Sequence, residues 1–166
     1  QAVSYLIQQG HRKIAVLGGP ATSHPSMMRR QGAQQAMEDA GIRFEDKLYG
    51  LSNYDFESAY HAMNGLLARR AEFTALFAMS DVIAFGAIRA LVSAGLRVPE
   101  DVSVIGFDGI TMSRYCVPVM TTIVQPSEQI ALQSIELLVR QIEHGTPAQT
   151  VTLQPELQQG ESVRTL

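Results

Sequence analysis

Six residues of this chain carry chemistry suited to a polar small molecule: Arg29, Asn53, Tyr54, Ser80, Asp108 and Gln125. A guanidinium donates hydrogen bonds in one plane and a carboxylate accepts them. Arg29 and Asp108 together therefore match a polyhydroxylated or carboxylated compound. An aromatic ring such as Tyr54 can cover the apolar face of a sugar or a base. Each of the six is expected at, or just beyond, the carboxyl end of a short apolar run. Asp108 follows residues 102–106, Gln125 follows 121–124, Ser80 follows 74–79, and Asn53 and Tyr54 follow 48–51. Arg29 is expected in the first turn of the helix after residues 13–18. In an open parallel sheet those ends share one rim, and such sheets hold their ligands there. Plainer roles compete. Asp108-Gly109 would serve as a turn, Ser80 as a helix cap beside Asp81, and Gln125 as loop polarity. Arg29 could simply solvate a helix turn, yet a cation at a helix start opposes the dipole and so argues for a specific partner.

The elements that position these residues follow from periodicity. A short helix is expected over residues 2–9, closed by Gly10, then a buried strand over 13–18. A helix over 26–40 follows, with Met28, Ala36, Met37 and Ala40 on its inner face and Gly32 allowing close packing. A strand at 48–51 leads into a helix over 55–70, and the strand 74–79 into a helix over 81–94 that Asp81 can cap and Gly95 ends. The strand 102–106, a loop over 107–118 and the strand 121–124 come next, then a helix from Pro126 to His144. Residues 151–153 and 162–165 read as the last strands. Strands and helices alternate, and the strands are continuous apolar runs. The expected fold class is therefore α/β, a doubly wound parallel sheet with helices on both faces.

Bulk properties narrow the function. The 166 residues suit one domain of ordinary size, with 46% hydrophobic and 17% charged residues and a net charge of −3. There is no basic stripe, so the chain by itself does not read as a nucleic-acid surface. One cysteine, Cys116, excludes an internal disulfide and suits a reducing cytoplasm. No signal peptide and no long apolar run argues for secretion or a membrane. His11, His24, His61 and His144 lack metal-ligand spacing, and no cofactor is expected. Gly18-Gly19-Pro20 is neither a dinucleotide fingerprint nor a phosphate loop, and no nucleophile elbow occurs. An enzyme is not the expectation.

The segments AFGAIRAL (residues 84–91), AGLRVPEDVSVIGFDG (94–109) and TTIVQP (121–126) occur in this order after Gly10-His11-Arg12-Lys13-Ile14-Ala15 and Arg29-x-x-Gly32. That combination resembles the effector-binding core of the lactose-repressor (LacI/GalR) family of transcription regulators, from about residue 3 to residue 163. The resemblance implies a ligand-binding role for Arg29 and Asp108 and a stacking role for Tyr54. It departs from the family at Ser80, where asparagine is common, and at Pro25, which cannot donate a hydrogen bond. It also implies two similar subdomains joined by three crossovers. Residues 1–124 and 151–166 would build the C-terminal one, and residues 125–150 would belong to the N-terminal one. The remainder of that subdomain and a helix-turn-helix headpiece would lie outside this chain, and operator DNA would be bound only through that headpiece. The intact protein would be cytoplasmic and respond to a sugar or sugar phosphate.

Two helices carry more apolar surface than one sheet contact needs. In 127–144 the apolar residues Ile130, Ala131, Ile135, Leu137, Leu138, Val139 and Ile142 face more than one way. The implied missing subdomain would cover part of them, as would a partner chain. In 81–94 apolar residues nearly encircle the helix, so a second covering surface is expected. The resemblance makes that surface a second subunit in a homodimer, with Phe85, Ile88, Ala84 and Tyr115 in the contact; full burial within the monomer is the competing reading. Two other functions stay open. A periplasmic sugar-binding protein of a transport system shares the architecture, and a Rossmann-like enzyme shares the sheet.

Overall fold

A computed structural model describes residues 1–166. The elements in chain order are α1 (Ala2–Gln8), β1 (Ile14–Gly18), α2 (His24–Asp39), β2 (Tyr49–Leu51), α3 (Phe56–Ala68), β3 (Ala75–Ala78), α4 (Asp81–Ser93), β4 (Ser103–Asp108), β5 (Thr121–Val124), α5 (Ser127–His144) and β6 (Glu156–Gln158). The strands form one sheet in the order β2-β1-β3-β4-β5-β6, parallel throughout except for the antiparallel β5–β6 pair. The α/β, largely parallel architecture read from the apolar strand runs is the one found. Right-handed crossovers fix the layers. From β1 the chain steps outward to β2 and then reverses to β3, so α2 lies on one face and α3 on the other. α1 packs with α2, and α4 with α3. Every residue of β1 and β3 is buried, as a strand covered by helices on both faces requires.

Several boundaries and faces differ from the sequence reading. In α2 the inward residues are Ser26, Ala33 and Met37, while Met28 is exposed. Ser26 sets that phase by donating from its hydroxyl to the Gly19 carbonyl at 3.1 Å. A Cβ on Gly32 would meet nothing within 4 Å, so this glycine serves no close packing. The helix begins at His24, with Pro25 in its first turn, and Arg29 therefore stands in the second turn. Residues 151–153 are not a strand. The sheet's last strand is β6, a few residues later, and Ser162 lies outside the ladder, accepting at its carbonyl from the Val104 N–H at 2.7 Å and donating its N–H to the Val119 carbonyl at 3.1 Å, with its hydroxyl adding further bonds. The Ser162 Oγ donates to the Val104 carbonyl at 2.6 Å and accepts from the Thr121 N–H at 2.8 Å.

α4 is the most enclosed helix. Ile83, Ala84, Ala87, Ala90 and Leu91 are buried. A Cβ on Gly86 would fall 2.5 Å from the Phe56 carbonyl oxygen, so glycine here lets α3 and α4 approach closely. α3 thus covers much of what looked like surface awaiting a neighbour. Ala84 is fully buried within the monomer, leaving it no surface to offer a second subunit. What remains outward is a strip of half-buried Phe85 and Ile88 with exposed Arg89 and Val92. α5 is the opposite case, with none of its residues buried.

Candidate effector site

Asp108 ends β4 in a left-handed backbone conformation, φ 117°, followed by Gly109 at φ 73°. Few non-glycine residues adopt positive φ. Here the conformation is held because β5 runs alongside, pairing Asp108 with Val124, and because the Gln125 N–H donates to the Asp108 carbonyl at 3.1 Å. A side chain on Gly109 would come within 2.7 Å of Val124. The turn that aims the Asp108 carboxylate is therefore fixed by sterics on both sides.

Three of the six candidates meet directly. The Gln125 Nε2 donates to Asp108 Oδ1 at 2.7 Å, and the Arg29 Nη2 approaches the same oxygen at 3.4 Å. Arg29 also donates through Nη1 to the Met79 carbonyl at the end of β3. Its guanidinium carbon lies 3.9 Å from the centroid of the Phe107 ring, a cation–π contact that fixes the plane of the fork. Both side-chain bonds to Asp108 fall on Oδ1, and no protein donor reaches Oδ2. Burial pushes the Asp108 carboxyl above the usual aspartate range, while Arg29 and Gln125 pull it back down. The Arg29 and Asp108 side chains keep 18% and 27% of their exposure, enough for a ligand to reach both.

Two hollows flank this bridge. One, of about 320 Å³, is walled by Arg29, Ala33, Phe77, Phe107 and Ile123. The other, of about 540 Å³, lies between Asp108, Thr111 and Gln125 on one side and Ile130 of α5 on the other.

The remaining candidates stand differently. Tyr54 occupies the left-handed region, φ 60°, and its ring lies so close over Gly19 that a Cβ there would be 2.0 Å from a ring carbon. Its hydroxyl is buried without a partner. Asn53 is exposed, and its N–H donates to the Ser58 Oγ at 2.8 Å. Both lie past β2 on the same rim but make no bond to the Arg29–Asp108–Gln125 group. Ser80 is 4% exposed, and its Oγ accepts from the Ile83 N–H at 3.1 Å. It is the N-cap of α4, so direct ligand contact by Ser80 is not what this geometry offers.

Asp81, read from sequence only as a helix cap, is fully buried and accepts bonds from Thr122 and Ile110. Phe107 and the Met79 carbonyl were also missed. Phe107 was read as the first residue of the loop 107–118, whereas β4 runs on to Asp108, and an apolar side chain there gave no polar signal; a carbonyl has no sequence signature at all. No group of three or more His, Cys, Asp or Glu side chains is placed to hold a metal ion.

A sheet with its polar cluster at the carboxyl rim, an arginine from the second turn of one helix and an aspartate closing a central strand define a ligand-binding domain of known type. The chain belongs to the periplasmic binding protein-like domain family, which matches residues 3–163, and within it to the effector-binding cores of LacI/GalR regulators. It is 38% identical over 166 residues to the HTH-type transcriptional repressor PurR of Histophilus somni, covering 99% of this chain and 50% of that protein. Identity to the PurR of Photorhabdus laumondii is 39% over 160 residues, covering 96% and 47%. The chain thus spans about half the length of these curated relatives. Among solved structures it superposes on a LacI-family sugar-binding transcriptional regulator from Escherichia coli complexed with phosphate (TM-score 0.92, 34% identity, 99% of this chain and 59% of that one). The complex of the regulator CelR with cellobiose is equally similar in fold (TM-score 0.93, 36% identity, 98% and 50%). These relatives are regulators, several of them repressors, and none of those named is an enzyme.

Proposed function

We propose that the chain is the effector-sensing and dimerising core of a DNA-binding regulator, a repressor by likeness to its relatives, and that its effector is a sugar or sugar derivative. The observation that carries this reading is the Arg29–Asp108–Gln125 cluster at the strand ends. An unengaged carboxylate oxygen accepts from a sugar hydroxyl, and the guanidinium donates to a hydroxyl or phosphate oxygen. The apolar wall of Phe107 and Phe77 suits the C–H face of a pyranose. Cellobiose and phosphate, the ligands named for two structural neighbours, agree with that donor and acceptor set.

The domain arrangement belongs to the same proposal. Residues 1–124 and 151–166 form one subdomain, and residues 125–150 belong to the other. The support is α5, whose Ile130, Leu132, Ile135, Leu138, Val139 and Ile142 are all exposed. Operator binding would come from a headpiece elsewhere in the protein, and the site of action would be the cytoplasm. No helix is long and apolar enough to cross a membrane. The test is a thermal-shift screen of the intact protein with monosaccharides, cellobiose, sugar phosphates and nucleobases. A hit among the sugars whose shift disappears in Arg29→Ala supports the reading. A hit confined to nucleobases, or one untouched by that substitution, contradicts it.

A further inference from the structure

Asp81 is an acid with no basic partner. It is fully buried, lies at the first position of α4, and forms no ion pair. Its two oxygens are nonetheless both committed. Oδ1 accepts from the Thr122 hydroxyl of β5 at 2.6 Å, and Oδ2 accepts from the Ile110 N–H at 2.8 Å. The space for the carboxylate exists only because residue 106 is glycine, since a Cβ there would fall 2.2 Å from Oδ1. Ile110 is two residues past Asp108, on the turn that aims the ligand-facing carboxylate. Helix capping does not explain Asp81, because Ser80 already fills that role.

We propose that Asp81 is a positioning residue: it fastens the loop carrying Asp108 to the first turn of α4, so that the ligand-facing carboxylate and the helix bearing Phe85 and Ile88 move as one body. This rests on the reading of Asp108 as part of the effector site. A buried carboxylate suits the task better than an apolar residue. One acceptor per oxygen ties together two elements, the β4–β5 loop and β5, that meet α4 nowhere else with such directional bonds. Burial and, less strongly, the nearby Asp108 carboxylate favour the neutral acid, while the bonds from Thr122 and from the Ile110 and Gly109 backbone favour the ionised form. A ligand that shifts Asp108 would thereby pull on α4 directly, through the two residues from Asp108 to Ile110 and the Asp81 side chain.

The test needs no ligand, so its outcome is separate from whether Asp108 binds one. Residue-resolved amide hydrogen exchange on the full chain compares Asp81→Ala with Thr122→Val. Thr122→Val removes one bond to Asp81 but leaves the Ile110 bond in place. In Asp81→Ala the Ile110 amide is expected to exchange about 100-fold faster relative to β1 amides such as Val16, while in Thr122→Val that ratio stays within about fivefold of wild type. Ile110 opening no more than β1 in Asp81→Ala, or opening equally in both variants, overturns the proposal and leaves Asp81 a general stabiliser. Should Asp81→Ala not fold, the unsubstituted chain decides. The Ile110 amide proton resonance must follow the titration of the Asp81 carboxyl carbon, and an amide that ignores it refutes the bond's role.

Discussion

Arg29 is held at three points: the Met79 carbonyl, the Phe107 ring and Asp108 Oδ1. Such a side chain has little rotamer freedom left to lose when a ligand arrives, so its remaining donors act as a preformed fork. Asp108 is poised differently, since burial raises its pKa and its acceptor role needs the ionised form. Ligand affinity should therefore rise with pH through the elevated Asp108 value, with its acid limb above that of an ordinary aspartate. His11 gives an independent check at this scale. It is fully buried, bonded through Nδ1 to Thr74 Oγ1 at 2.9 Å and through Nε2 to the Arg164 carbonyl at 3.1 Å, and burial lowers its pKa. A depressed folded-state value means the neutral ring contributes stability above its unfolded value near 6.5, and that contribution is lost as pH falls through the folded value. The raised acids Asp81 and Asp108 work in the opposite sense, contributing stability at low pH that is lost as pH rises through their folded values. The difference between wild type and His11→Gln isolates the histidine. Urea midpoints should converge as pH falls below about 6.5, and a constant gap down to about pH 4.5 would contradict the assignment. The meeting of Asp108 with Gln125 was legible from sequence because both follow apolar strand runs, and that of Arg29 with them only in part, since it stands one helical turn later than expected. Asp81 was not, since an Asp beside a Ser before a helix reads as capping, and its partners lie 29 and 41 residues away.

At the scale of elements, continuous apolar runs mark strands buried on both faces, which is why the parallel α/β sheet was legible, whereas its order β2-β1-β3-β4-β5-β6 and its antiparallel last strand were not. Helix phase was less so. α2 turns inward on Ser26, whose hydroxyl finds the Gly19 carbonyl, so a polar residue occupies a core position and displaces the expected Met28 face. The chain after residue 150 was misread for a related reason. Its attachment combines the short β5–β6 ladder, backbone bonds of Glu161 and Ser162, and the Ser162 and Thr121 hydroxyls, and such bonds carry no apolar period. Two glycine substitutions separate the structural roles. Gly106→Ala drives a methyl into the Asp81 carboxylate and should cost about 1–3 kcal/mol or more in urea unfolding. Gly32→Ala meets empty space on an exposed helix and should stabilise by about 0.5–1 kcal/mol. If the two substitutions shift stability alike, the close packing around Gly106 is wrong.

At the scale of the whole molecule, two surfaces remain for partners. α5 is amphipathic and uncovered, and on α4 the half-buried Phe85 and Ile88 and exposed Val92 form an apolar strip; Tyr115 is exposed in the loop before β5. Under the proposed dimer, a charge at the strip's centre is a desolvated, unpaired cation in the interface, which is strongly unfavourable. Phe85→Arg should therefore convert dimers to monomers in sedimentation velocity, and an unchanged dimer would remove this face from the contact. The expectation that α4 needs a second covering layer was half legible. Its apolar girth was plain, but α3 supplies much of the cover through Gly86, a close approach that sequence patterning does not encode. In the proposed site Asp108 and Arg29 bind the effector. Calorimetric titration of the intact protein with the sugar identified by screening tests this most directly. Loss of one charge-assisted hydrogen bond costs about 1.5–3 kcal/mol, so Asp108→Ala, still folded, should bind about 10- to 150-fold more weakly. Binding at wild-type affinity by Asp108→Ala would contradict the account.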